Sequence, residues 1–192
     1  MPSKLHNELP NDLPVSTQTD LWVTWNEYHR AIEELALLVH ESGWKFDQIL
    51  CLARGGLRPG DVLSRIFDVP LAILSTSSYR EEAGKLQGNL AIAAGITMIR
   101  GPLAGRVLLV DDLVDSGVTL QKVQQHLSGT YSAVTEIKSA VIWYKECSVL
   151  KPDFFLQHLP HNPWIHQPFE RYDGLRAGQL AAWLKKGKAD PG

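Results

Sequence analysis

The stretch from Val107 to Leu120, V-L-L-V-D-D-L-V-D-S-G-V-T-L, leaves an all-apolar run, crosses three carboxylates and enters a helix through Ser-Gly-Val-Thr. A strand that is apolar along its whole length has no face for water, so it is expected inside a parallel sheet covered on both sides. The same alternation runs through the chain. Thr24 with Glu27 three residues on fits a capping box, and Tyr28, Ile32, Leu35, Ala36, Leu38 and Val39 recur at helical spacing to about Glu41, with Gly43 as the stop. Residues 46–53 read as a buried strand, 59–67 as a helix with Pro59 in its first turn, and 69–74 as a second strand. A polar segment covers 75–88, and 90–99 forms the return arm of a hairpin. Strand 106–110 and a helix over 119–127 flank the acidic loop. Strands over 137–144 and 154–156 follow, then a helix over 177–186 whose basic end suits the helix dipole. The fold class is therefore α/β, with a mostly parallel central sheet flanked by helices. Ligands in such sheets lie beyond the carboxyl ends of the strands, here after Ala53, Val110 and Tyr144.

With 192 residues the chain can bury a real core as one domain plus a small accessory lobe. A formal net charge of -2 gives no general attraction to nucleic acid or to an anionic membrane, so a polyanionic substrate must be met locally. The uncharged run from Leu86 to Ile99 is too short to span a bilayer. The first twenty residues are rich in Pro, Asn, Ser and Thr and lack the basic start and apolar stretch of a signal peptide. Cys51 and Cys147 lie far apart and read as reduced thiols, which makes the cytoplasm the expected location.

Each part of the acidic loop has a physical use. The backbone amides of Ser116, Gly117, Val118 and Thr119 sit at a helix N-terminus, with Gly117 allowing a tight turn. Together with the Ser116 and Thr119 hydroxyls they make a phosphate site. Asp111 and Asp112 stand at the strand end, where they can accept hydrogen bonds from vicinal ribose hydroxyls or hold Mg2+. Asp115 follows one turn of loop later. A helix cap alone needs one such acid, not three in five residues. Upstream, I-L-C-L-A-R-G-G-L-R-P-G again runs from strand to turn to helix. Arg54 offers a fork of donors for phosphate oxygens, and Gly55 and Gly56 let the backbone come close to an anion. Near the C-terminus, Trp164 reads either as packing or as an aromatic platform for a flat base whose polar edge the backbone around Ile165 can meet, and Lys145 either as a solvated strand end or as a donor to that base. His158, His161 and His166 are joined by no cysteine or acid in a recognisable pattern and read as packing or surface residues.

The segment from Val107 to Leu120 resembles the ribose-phosphate motif of the type I phosphoribosyltransferases, in detail the bacterial xanthine-guanine and hypoxanthine-guanine enzymes. The order Lys145, Trp164-Ile165 and an acid at Glu170 resembles their purine end, although Asp is usual where Glu170 stands. The resemblance spans about residues 21–170. It implies a core over 21–145 behind a flexible leader (1–20), and a small hood with a C-terminal helix over 146–192. Asp111 and Asp112 would hold the ribose hydroxyls, with Asp112 the metal contact, and Asp115 would be the acid/base near the purine. Ser116 to Thr119 would cradle the 5-phosphate, and Arg54 with Gly55 would contact pyrophosphate. A flexible hairpin hinged at Ser78-Tyr79 would close over the diphosphate, with Arg80 or Lys85 reaching it. The implied substrates are 5-phosphoribosyl-1-pyrophosphate and a 6-oxopurine, the implied cofactor Mg2+, and the implied assembly a dimer or tetramer. Two alternatives stay open: a regulator that senses the same donor, which a basic face and an added DNA-binding lobe would favour, and a transferase for a non-purine acceptor.

Overall fold

The structure, a computed structural model, describes residues 20–78, 90–99 and 101–188. In order they form β1 (Leu21–Trp22), α1 (Trp25–Glu41), β2 (Gln48–Ala53), α2 (Leu57–Phe67), β3 (Leu71–Ser78), β4 (Leu90–Ile92), β5 (Thr97–Met98), β6 (Gly105–Val110) and β7 (Leu113–Val114). Then come α3 (Val118–Thr130), β8 (Val134–Lys145), β9 (Phe154–Leu159), β10 (Ile165–His166), a 3-10 turn (Glu170–Tyr172) and α4 (Ala177–Lys188). Residues 1–19 of the leader, Tyr79, Arg80 and Lys85 lie outside the described residues.

The central sheet runs β4-β3-β2-β6-β8-β7, with β5 added to β3 and β9 to β8. β2, β3, β6, β7, β8 and β9 pair in parallel, and β4 and β5 return antiparallel along β3. Side chains of a strand alternate between faces, so one strand feeds two cores. Leu108 and Val110 of β6 join Ile49, Cys51 and the apolar stripe of α1, with Leu63 of α2. Val107 and Leu109 join Leu50, Leu52 and the α3 residues Leu120, Val123 and Leu127. Both faces are thus covered, which is why these strands carry no polar side. α1 begins with the expected capping box, the Thr24 hydroxyl accepting from Glu27 N and the Glu27 carboxylate accepting from Thr24 N at 2.8 Å.

Several boundaries differ from expectation, each for a local reason. α2 starts at Leu57 rather than Pro59, because a proline in the first turn lacks only an N–H that has no intrahelical partner there. β3 continues through the polar Ser75 to Ser78, where pairing of Thr76 with Ile92 and Ser78 with Leu90 replaces burial as the reason to stay extended. The acidic stretch is not a plain loop. After Asp111-Asp112 the chain resumes pairing with β8 as β7, Leu113 opposite Trp143. A second, two-stranded sheet joins β1 to β10 in parallel, Leu21 opposite Ile165. No helix among the described residues is long and apolar enough to cross a membrane.

Candidate active site

The carboxyl ends of β2, β6 and β8 open into one cleft. Asp111 and Asp112 interrupt the line from β6 to β7 yet keep their backbone on β8. Asp111 N donates to Ala140 O at 3.2 Å, and Asp112 O accepts from Ile142 N at 3.0 Å. The side chains are held as firmly. Asp111 Oδ1 accepts from Asp112 N at 3.0 Å, Asp112 Oδ1 from Leu113 N at 2.8 Å and Asp112 Oδ2 from Gln167 Nε2 at 2.7 Å. Burial pushes the carboxyl of Asp111 well above the ordinary carboxylate range, and repulsion from Asp112 adds to it. Burial also raises Asp112, opposed by the Gln167 amide and the Leu113 N–H. Gly55 makes room for this pair, since a Cβ there would stand 2.6 Å from Asp112 Cγ and 2.8 Å from Oδ2.

The turn into α3 is equally constrained. Gly117 has φ +77°, and a Cβ on it would strike the Ser148 hydroxyl and come 2.9 Å from Leu150 N. The turn at 148–150 therefore stands directly on the loop, with Val149 N donating to Ser116 O at 2.9 Å. Val118 N lies 3.5 Å from the Ser116 hydroxyl. Lys145, at the end of β8 and only 7% exposed, reaches Asp115 Oδ1 with its ammonium at 3.3 Å. The Trp164 indole N–H points at Glu170 Oε2, 3.4 Å away. Trp164 O accepts from Leu21 N of β1 at 2.8 Å, and His166 O from Val23 N, just after β1, at 3.1 Å. Ile165, between Trp164 and His166, lines the cleft.

A cavity of about 410 Å³ brings most of the expected residues together: Asp111, Asp112, Asp115, Ser116, Gly117, Thr119, Lys145, Trp164, Ile165 and Glu170 all line it. The side chain of Val118 is not among its walls. Arg54 and Gly55 line an adjoining cavity of about 490 Å³ that shares Asp111, Asp112 and Thr119 with the first. There Arg54 is turned to Asp173 at 3.4 Å, and the Ala53–Arg54 peptide bond is cis. The histidines are dispersed. His158 meets Glu146, His166 meets Asp20 and stacks on Trp22, and no cluster of three or more metal-ligating side chains occurs among the described residues.

Two residues in the cleft were not singled out from sequence. Gln167 is one, a polar residue directly after W-I-H whose burial only the fold shows. Arg58 is the other, lining the second cavity from the first turn of α2. A cation at a helix N-terminus runs against the dipole and was its signal.

Comparison with known proteins gives this cleft its setting. The pattern of the phosphoribosyl transferase domain family matches residues 24–173, which include both strand-to-helix loops. A xanthine-guanine phosphoribosyltransferase of Idiomarina loihiensis is 27% identical over 154 residues, 80% of this chain and 88% of the relative. The crystal structure of a purine phosphoribosyltransferase from Pyrococcus horikoshii superposes with a TM-score of 0.64 at 33% identity, over 78% of this chain and 93% of its own. The Helicobacter pylori xanthine-guanine-hypoxanthine phosphoribosyltransferase gives 0.66 at 25% identity, over 90% and 100% of the two chains. With an acid pair and an amide-lined helix entrance at one sheet end, and a family match across most of its length, the chain belongs to the phosphoribosyltransferase family.

Proposed function

We propose that this protein is a purine salvage transferase, moving the phosphoribosyl group of 5-phosphoribosyl-1-pyrophosphate to a ring nitrogen of guanine, hypoxanthine or xanthine and releasing pyrophosphate. The observation that carries the reading is the single cavity in which the carboxylates, the loop 116–119, Lys145 and Trp164 meet. Asp111 and Asp112 accept the ribose hydroxyls, and the amides and hydroxyls of Ser116 to Thr119 hold the 5-phosphate. Trp164 presents a face to the purine, the backbone of Ile165 reads its edge, and Lys145 donates to the 6-oxo oxygen. Asp115, already beside the Lys145 ammonium, takes or relays the purine proton, a role worth about 10² to 10⁴ in rate. Arg54 and Gly55 contact the departing pyrophosphate. These fixed contacts hold acceptor and donor in line while positive charge develops at the ribose carbon.

Two adjacent carboxylates whose charged forms are disfavoured by burial and mutual repulsion fit a hard divalent cation, which relieves both. Such a cation takes its other ligands from water and the substrate phosphates, so two protein ligands suffice. Asp112, with Asp111 beside it, would hold Mg2+, and the ion would neutralise the diphosphate and improve it as a leaving group. The same reading places the enzyme in the cytoplasm, in keeping with two free thiols, and makes it a homo-oligomer.

The test is one assay panel: the donor with Mg2+ and each of guanine, hypoxanthine and xanthine, followed by pyrophosphate release. At least one base should turn over, and chelation of the metal should stop it. Silence with all three would return the protein to a donor-sensing regulator or to another acceptor.

A further inference from the structure

Arg58 is the second residue of α2, where the helix dipole works against a cation and no acidic residue offsets it. Its side chain enters the cavity that also holds Arg54, Gly55, Asp111 and Asp112. Four carboxylates, those of Asp111, Asp112, Glu170 and Asp173, line that cavity, yet Arg58 forms no ion pair or side-chain hydrogen bond among the described residues. What holds it instead is aromatic. The guanidinium carbon sits 4.1 Å from the ring centroid of Phe169 and 5.7 Å from that of Trp25. An arginine kept in place by ring faces is a cation in reserve, ordered before any anion arrives and with its N–H donors still unused. Arg54, by contrast, is largely exposed and already paired with Asp173.

The charge balance of the cavity points the same way. Among its described lining residues the cations are Arg54 and Arg58 alone, set against four acids. With Asp111 and Asp112 given over to the metal, a diphosphate entering there still faces Glu170 and Asp173, and the two arginines are the side-chain cations that can turn to it. Flat, forked guanidinium groups suit two neighbouring phosphoryl groups better than one point charge does.

We propose that Arg58 is a second diphosphate-binding residue, pre-set by Phe169 and Trp25 to receive the pyrophosphate end of the donor alongside Arg54. This rests on the transferase reading above, and it assigns a contact that the R-G-G turn does not contain. The competing explanation is a brace in which Arg58 merely ties α2 to the segment around Phe169.

Steady-state kinetics and titration with inorganic pyrophosphate plus Mg2+ separate the two, using Arg58→Met, Arg58→Gln and Arg58→Lys in the full chain. The two neutral variants should weaken pyrophosphate binding and raise the KM for the donor by about tenfold to hundredfold, the loss of a charge-assisted contact. Their KM for the purine and their melting temperature should stay near those of the unaltered protein, and Arg58→Lys should recover part of the pyrophosphate affinity. Unaltered pyrophosphate affinity in both neutral variants overturns the assignment while leaving the transferase reading intact. So does a common loss of stability and of affinity for both substrates, which is what a brace would give. An unaltered protein that releases no pyrophosphate with any purine overturns the transferase reading, and the assignment falls with it.

Discussion

Asp111 and Asp112 show what a buried acid pair costs its own fold. Their carboxyls are raised by burial and by each other, so the folded protein takes up protons more readily than the unfolded chain. The stability tied to Asp111 is therefore fully present below the ordinary carboxylate range and is lost as pH rises through that range toward the raised value. Asp111→Asn removes the repulsion and keeps an oxygen to accept from Asp112 N. It should raise the melting temperature of the ligand-free protein at neutral pH, by about 0.5–2 kcal/mol of stability, and the gain should shrink on acidification. Donor binding should suffer in the same variant. Asp115 behaves differently, being half-exposed and paired with Lys145. Asp115→Asn should lower turnover by about 10² or more with little change in donor affinity, as single-turnover and binding measurements would read separately. Turnover equal to that of the unaltered protein would remove Asp115 from the proton step.

Among the elements, those with a strong period or a strong stop were legible beforehand. α1 announces itself through Thr24, Glu27 and Gly43, and β6 through four consecutive buried apolar residues. Thr24→Ala should cost about 1 kcal/mol by leaving first-turn amides without partners, a loss visible in thermal or urea unfolding. β7 and β10 were not legible, because two residues carry no periodicity and their reason for being extended lies in partners far along the chain, Trp143 and Leu21. The candidate site divides in the same manner. The acids and the Gly117 turn could be read because their chemistry is local to a few consecutive residues. The Gln167 amide on Asp112 and the Arg58 guanidinium over Phe169 join positions 55 and 111 residues apart. No short-range pattern carries such a contact.

At the scale of the molecule, the two cores on opposite faces of one sheet leave the strand tips as the free end of the structure, and the cleft occupies it. α4 stands apart from this organisation. From Ala177 to Lys185 its side chains are exposed except those partly covered at Leu180, and the family match ends at residue 173. A chain ending at Arg176 should keep its fold, with a melting temperature within about 3 °C of the full chain and comparable turnover. A large drop in either would assign α4 a packing role that its exposure does not suggest.

The 2.7 Å bond from Gln167 to Asp112 has a mechanical meaning. Gln167 directly follows the strand that bears Ile165, so on the proposed function the element that would face a purine and the acid that would face a sugar are tied together by one amide. On that reading, a shift of the strand on binding a base would be felt at the carboxylate, and a shift of the carboxylate on binding a ribose would be felt at the strand. Whatever factor one ligand imposed on the other's affinity through this bond would be returned in equal measure.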